Sequence, residues 1–556
     1  MTVIGNGYGN GEQIKISFGI TETKTTTIST EHGTFSATFL CNIQPFGTIA
    51  ITAIGPLTQY ATTTFTINIG IILLTSTEGI VGTKVTIGGA GFSNDELAWI
   101  DFGTTQTITT VKVNNTNGTF NTTFLVSTQA FGSITITMYA QDSGGTAITT
   151  FFIRASLVKI YPPSAKVGEL ITVEGVGFKK NEVIGIGFGT TQTITTTTAT
   201  SDTGTFSVTF LVNTQGYSTK RITATGTESN ETPSLYLFKL IPNIVWIAPG
   251  SGTVDTVITL LGTGYSVGSV TRISFGTTVT IATAIADTFG TFSVTFMANT
   301  QPQGYRVITA LDASTEFDTD KFEIIGKIIL VSPASGNVGD QITVIGIGFV
   351  QLGSVSVSFG KTASITTAST NINGTFSQVF KIDTQVIGTK IITAHGSIDA
   401  TSFFYIKPKV ILVEPSQGPL DTVVVVQGTG YGSKTLIQID FGTTKTISTT
   451  TSTEDGTFSA TFSVNIQPQG ATVITAMNNE TGEYATSIFS IGCVIAEVKP
   501  TEGIVGSVVT VRGTGYNDGE EIHIGFGSTA TITTTIGQYA GTFSTTFIVN
   551  TQAEGM

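Results

Sequence analysis

Gly262-Thr263-Gly264-Tyr265 and its relatives along the chain could be part of a loop that cradles phosphate on backbone amides. That chemistry also needs a third glycine, an acidic partner and a following helix N-terminus, and none stands in place, so a tight turn at a strand end is expected. Asn94-Asp95-Glu96 and Asn517-Asp518-Gly519-Glu520-Glu521 gather carboxylates of the kind that hold calcium. The corresponding stretches elsewhere read Ser-Val-Gly-Ser, Gln-Leu-Gly-Ser and Gly-Ser-Lys, which favours a solvated loop over a cation site. Cys41 and Cys493 are too distant in sequence for a local disulfide framework. His32, His395 and His523 come singly, leaving little for a Ser-His-Asp, Cys-His or zinc constellation, and all three are expected at the surface. No catalytic, cofactor-binding or metal-binding residue is assigned, and no enzyme is expected.

The elements that carry these residues follow from composition. The 556-residue chain has 25 Lys plus Arg against 37 Asp plus Glu, a net charge of −12 that disfavours nucleic acid as a partner. Only 11% of residues are charged while 40% are hydrophobic, so Thr, Ser, Asn and Gln must supply the polar surface. Thr is a β-former and helix-like stretches are absent, which points to an all-β protein. The longest apolar runs are far short of a bilayer span, so no membrane insertion is expected in this segment.

Self-similarity organises the chain. Gly-Thr-Phe recurs with Phe35, Phe120, Phe206, Phe292, Phe376, Phe458 and Phe543, a period of about 85 residues. Phe-Gly recurs in step at Phe18, Phe102, Phe188, Phe275, Phe359, Phe441 and Phe526, and a Gln follows at 44, 129, 215, 301, 385, 467 and 552. Seven units of sandwich size result, divided at 1–69, 70–153, 154–239, 240–325, 326–407, 408–491 and 492–556. In the third, Ile171 and Val173, then Ile184, Ile186 and Phe188, alternate with polar residues. Ile194 anchors a Thr-rich ribbon, Phe206, Val208, Phe210 and Val212 form the longest inward stripe, and 222–225 with 235–240 complete about seven strands. The junctions 322–331, 404–413 and 489–498 are continuous apolar β-formers, so each sandwich should hand its last strand directly to the next, burying the junction and giving an extended rod.

Cys41 takes a place held by Val126, Val212, Ala298, Ile382, Val464 and Val549, so it is expected to pack as a small buried hydrophobe. Cys493 lies among apolar junction residues and is expected to pack too, an interchain contact remaining open. Lys24 takes the inward place of Ile108, Ile194, Ile281, Ile365, Ile447 and Ile532. Sequons occur at Asn114, Asn117, Asn121, Asn230, Asn373 and Asn479, and glycosylation is expected if the chain is exported.

Pro333-Ala334-Ser335-Gly336-Asn337-Val338-Gly339, followed by Ile342 to Phe349 and then Phe359-Gly360, resembles the IPT/TIG immunoglobulin-like repeat. The pattern returns at 415–431 and 500–516, while Ser76 replaces the proline in the second unit and Lys166 the glycine in the third. The resemblance implies tandem Ig-like sandwiches of the kind found in prokaryotic surface proteins, with an extracellular location. Two functions follow: a structural protein assembling into a surface layer, sheath or filament, or the stalk of an adhesin or glycan-binding protein. Partners are expected to be copies of itself, other surface proteins or glycans. The frame lacks an opening strand in the first unit and closing strands in the seventh, and an internal segment of a longer repeat protein is favoured over strand exchange between subunits.

Overall fold

A computed structural model describes residues 1–230 and 236–553. The third unit shows the plan. Its strands are β1 (Ser156–Tyr161), β2 (Ser164–Lys166), β3 (Leu170–Val176), β4 (Val183–Phe188), β5 (Thr191–Thr198), β6 (Phe206–Leu211), β7 (Thr219–Gly226) and β8 (Tyr236–Ile241). One sheet has three strands in the order β1-β3-β6, the other five in the order β2-β8-β7-β4-β5. Every pairing is antiparallel except that of β2 with β8. The short β2 makes eight strands where alternation shows about seven; its three residues are too few for a period. Leu235, assigned from sequence to the closing strand, lies outside the described residues. Units two, four, five and six repeat the three-plus-five arrangement, giving a tandem array of immunoglobulin-like sandwiches.

The inward stripes meet between the sheets. Ile171, Val173, Ile184, Ile186, Phe188, Phe206 and Phe210 are buried together, with Phe178 edge-on to Phe206 at 5.2 Å. The recurring Gln has a role that periodicity did not reveal. Gln215 is buried, donates from Nε2 to the Phe188 carbonyl at 2.9 Å, and accepts the Thr190 amide at 3.0 Å. It thereby satisfies both sides of the Phe-Gly turn, as Gln301 does at Phe275 and Thr277. The Thr ribbon is similarly local: its hydroxyls reach the carbonyls of the facing sheet, Thr27 to Ser36 and Thr450 to Ser459, each at 3.1 Å. Each such bond occupies a carbonyl on the edge strand of the facing sheet.

Among the described residues the first unit has sheets of two and four strands and the seventh sheets of three and two. The accessible surface is 27316 Å². One globule of this mass would expose about 19,000 Å² and seven separate units about 32,000 Å², so each sandwich touches little beyond its neighbours.

Several burial expectations fail. Cys41 is exposed. Its counterpart Val126 is buried, with its backbone bonded to Gly82 and Thr83. The junction residues Ile329, Leu330 and Ile411 are also exposed, because they lie on the outer face of the opening strand and the joint covers only its end, while Ile495, opposite Gly513 on the inner face of the last unit, is exposed where it lines a cavity with Val509, Val511 and Phe547.

Candidate functional site: the joints between sandwiches

Among the described residues no three His, Cys, Asp or Glu gather as a metal would require. The residues singled out from sequence are dispersed. His32, His395 and His523 are exposed on three different units. Cys493 is exposed rather than packed, sitting against Tyr516 at the last joint. Trp99 faces outward from its strand and stacks on Tyr139 at 6.1 Å. Trp246 is 54% exposed on the outer face of a three-stranded sheet.

The acidic loop corrects its sequence reading. Glu96 is only 2% exposed and accepts the amides of Ser93, Asp142 and Ser143 at 2.6, 2.9 and 2.9 Å. It is a clasp between two loops rather than a solvated side chain. Glu182 does the same in the third unit with Lys179, Glu228 and Ser229. Burial alone would raise the Glu182 pKa, but its donors outweigh burial and hold it below the usual carboxylate range. In the fourth unit the clasp comes from the opposite loop: Asp312 accepts the Ser266 amide at 3.0 Å and the Ser314 amide at 2.8 Å.

These clasped loops meet the preceding sandwich, and the joint has one repeated geometry. The residue two past the recurring Gln donates its amide to the carbonyl of the aromatic after Gly-x-Gly in the next unit. The pairs are Phe46 to Phe92 (3.0 Å), Phe131 to Phe178 (2.9 Å), Tyr217 to Tyr265 (2.8 Å), Gln303 to Phe349 (2.8 Å) and Ile387 to Tyr431 (3.0 Å). Two sequence markers are thus the two halves of a joint.

A third marker completes it. The glycine of Gly-Thr-Phe is left-handed in every unit, with φ of 62° at Gly204 and 72° at Gly290. A Cβ there would fall under 3.0 Å from the same aromatic carbonyl oxygen, and within 3.2 Å of the preceding unit's Pro45, Ala130, Gly216, Pro302, Val386 or Pro468. Only glycine admits both the conformation and the approach. The phenylalanine of the motif serves the core and the glycine serves the joint. Sequence alone shows the first role, because the second depends on contact with a different unit.

Side chains reinforce some joints. Between the third and fourth units Glu316 accepts the Tyr217 hydroxyl and the Lys239 ammonium, both at 3.0 Å. Asp318 accepts Lys166 at 2.8 Å and the Ile244 amide at 2.8 Å. The Glu316 bond raises the Lys239 pKa, and burial together with Glu316 raises that of Tyr217. Between the fifth and sixth, Tyr405 bonds Glu483 and Lys361 pairs with Asp455.

No protein-family model matches the chain, and no curated protein matches it. Among solved structures it is similar to a tetra-tandem repeat from the extending region of a large adhesion protein: 14% identity over 61% of this chain and 98% of that one, TM-score 0.17. It is similar also to invasin, a bacterial integrin-binding protein: 12% identity over 64% and 82%, TM-score 0.18. A mutant Salmonella alpha-2-macroglobulin matches at 11% identity over 94% of this chain and 47% of its own, TM-score 0.14, so the chain spans about half that protein's length. At such identities and scores the likenesses concern the sandwich fold alone, which the paired sheets establish independently.

Proposed function

We propose that the chain is a non-enzymatic, extracellular spacer: the stalk of an adhesive surface protein, with sandwiches of the IPT/TIG type. The observation that carries this reading is the repeated joint, a main-chain bond and an obligatory glycine at successive junctions, which sets neighbouring sandwiches end to end with little freedom. A Thr-rich surface sparse in charge, with no cluster of metal-ligating side chains among the described residues, is compatible with it. Self-assembly into a layer, sheath or filament is the second reading, favoured by the exposed apolar residues Ile329, Leu330 and Ile411 on the opening strands. Glycans at the sequons are compatible with both.

Small-angle scattering and light scattering on the full chain test both readings. Sandwich strands of ordinary length give a rod of roughly 200 to 300 Å, with a radius of gyration of about 60 to 85 Å. A compact chain of this length has about 24 Å, and such a value sinks the spacer. A monomer mass retained on concentration favours the stalk; reversible growth favours the assembling protein.

A further inference from the structure

The outer face of the five-stranded sheet in the fourth sandwich holds a concavity of about 430 Å³, a size ordinary for small-ligand sites. Its floor is the interior strand Val270–Phe275, paired on one side with Thr278–Ile285 and on the other with Gly304–Leu311. Ile273 and Phe275 point into the core, so Arg272 and Ser274 face outward. Val279 and Thr280 come from one neighbour, Thr309 and Leu311 from the other.

Arg272 is the distinctive group. Among the described residues no carboxylate pairs with it, although the chain carries a net charge of −12. In the same register the other units carry Lys15, Trp99, Gly185, Ser356, Gln438 and His523, so only the fourth presents a guanidinium there. A guanidinium is a planar fork matched to a carboxylate. Around it stand the hydroxyls of Ser274, Thr277, Thr280 and Thr309, and Leu311 with its cross-strand partner Phe317 forms an apolar strip.

We propose that this concavity binds a carboxylate-bearing saccharide, a function beyond that of a spacer. Arg272 takes the carboxylate bidentately, Ser274, Thr280 and Thr309 bond ring hydroxyls, and Leu311 lies under the apolar face of the sugar. An acidic peptide is the poorer fit. Both edges of strand Val270–Phe275 are already paired, so a peptide backbone has no edge to extend. One cation in an acidic chain is also too little for a polyanion such as nucleic acid.

Saturation-transfer NMR on the full chain, with a glucuronate-containing disaccharide, its neutral glucose counterpart and N-acetylglutamate as probes, decides the matter. Transfer is expected to the uronate disaccharide and not to the neutral sugar. Its affinity should fall at least tenfold in R272Q, less in R272K, and stay unchanged in R221Q, which alters an exposed arginine outside the concavity. The proposal is overturned if R272Q binds like the parent chain, if the uronate shows no transfer at about 10 mM, or if N-acetylglutamate binds as well.

Discussion

The joint between the first and second sandwiches and that between the third and fourth share a backbone but differ in what surrounds it. In the first, among the described residues, a single main-chain bond from Phe46 to Phe92 crosses between units. In the other, the equivalent bond from Tyr217 to Tyr265 is joined by Tyr217, Lys239 and Lys166 gripping Glu316 and Asp318, the latter only 15% exposed. Near-identical sandwiches are therefore linked with unequal tightness. The sandwich pattern sets position, and a few residues outside that pattern set stiffness.

The largest expected effects test whether the difference lies in the joints alone. Phe120→Ala and Phe292→Ala, which remove rings packed at 5.0 and 4.9 Å against Phe92 and Tyr265, should each cost about 3–5 kcal/mol in their own unit. Equal losses in denaturant unfolding place the contrast outside the cores, whereas a much larger loss at Phe292 shows that the braced joint also stiffens the core. Next come Gly118→Ala and Gly290→Ala, each expected to cost about 2 kcal/mol, since the left-handed conformation alone costs about 1–2 kcal/mol. Hydrogen exchange at the Phe46 and Tyr217 amides should accelerate respectively, with the smaller acceleration at Tyr217 because side chains still hold that joint.

Asp318→Asn should cost about 1 kcal/mol, confined to the third joint and read at the Ile244 amide, while Phe46 stays unchanged. An equal response at both amides would mean that the charged grip is ornamental. The smallest effect is one of pH. Asp312 holds Ser266, beside the Tyr265 carbonyl of the joint; burial opposes its charge, but hydroxyl and amide donors outweigh burial and lower its pKa. A depressed folded value contributes stability that is complete above the unfolded value of about 3.9 and is lost as pH falls through the lower folded one. Protection of the Ser266 and Ser314 amides should therefore persist below pH of about 4 before collapsing, and Asp312→Asn should remove that dependence.

The core was legible in the sequence because alternation is a local property: Ile184, Ile186, Phe188 and Phe206 are buried where period two puts them. Partners far along the chain were not legible. Nothing near Glu96 shows that the amides of Asp142 and Ser143 will fold over it. Gly204 likewise reads as an ordinary turn until Phe178 and the preceding Ala130 close around it. The exposure of Cys41 has the same origin, since a position is buried only by neighbours that the local pattern does not name. The joint was visible only as three separate repeats whose common purpose is spatial.

The short parallel pairing of Ser164–Lys166 with Tyr236–Ile241 has a mechanical consequence. One strand lies near the entry of its sandwich and the other at the exit, so tension applied along the array slides them in opposite directions. Their hydrogen bonds are then loaded together rather than peeled one after another, and a pulled sandwich resists at this seam before its interior is disturbed.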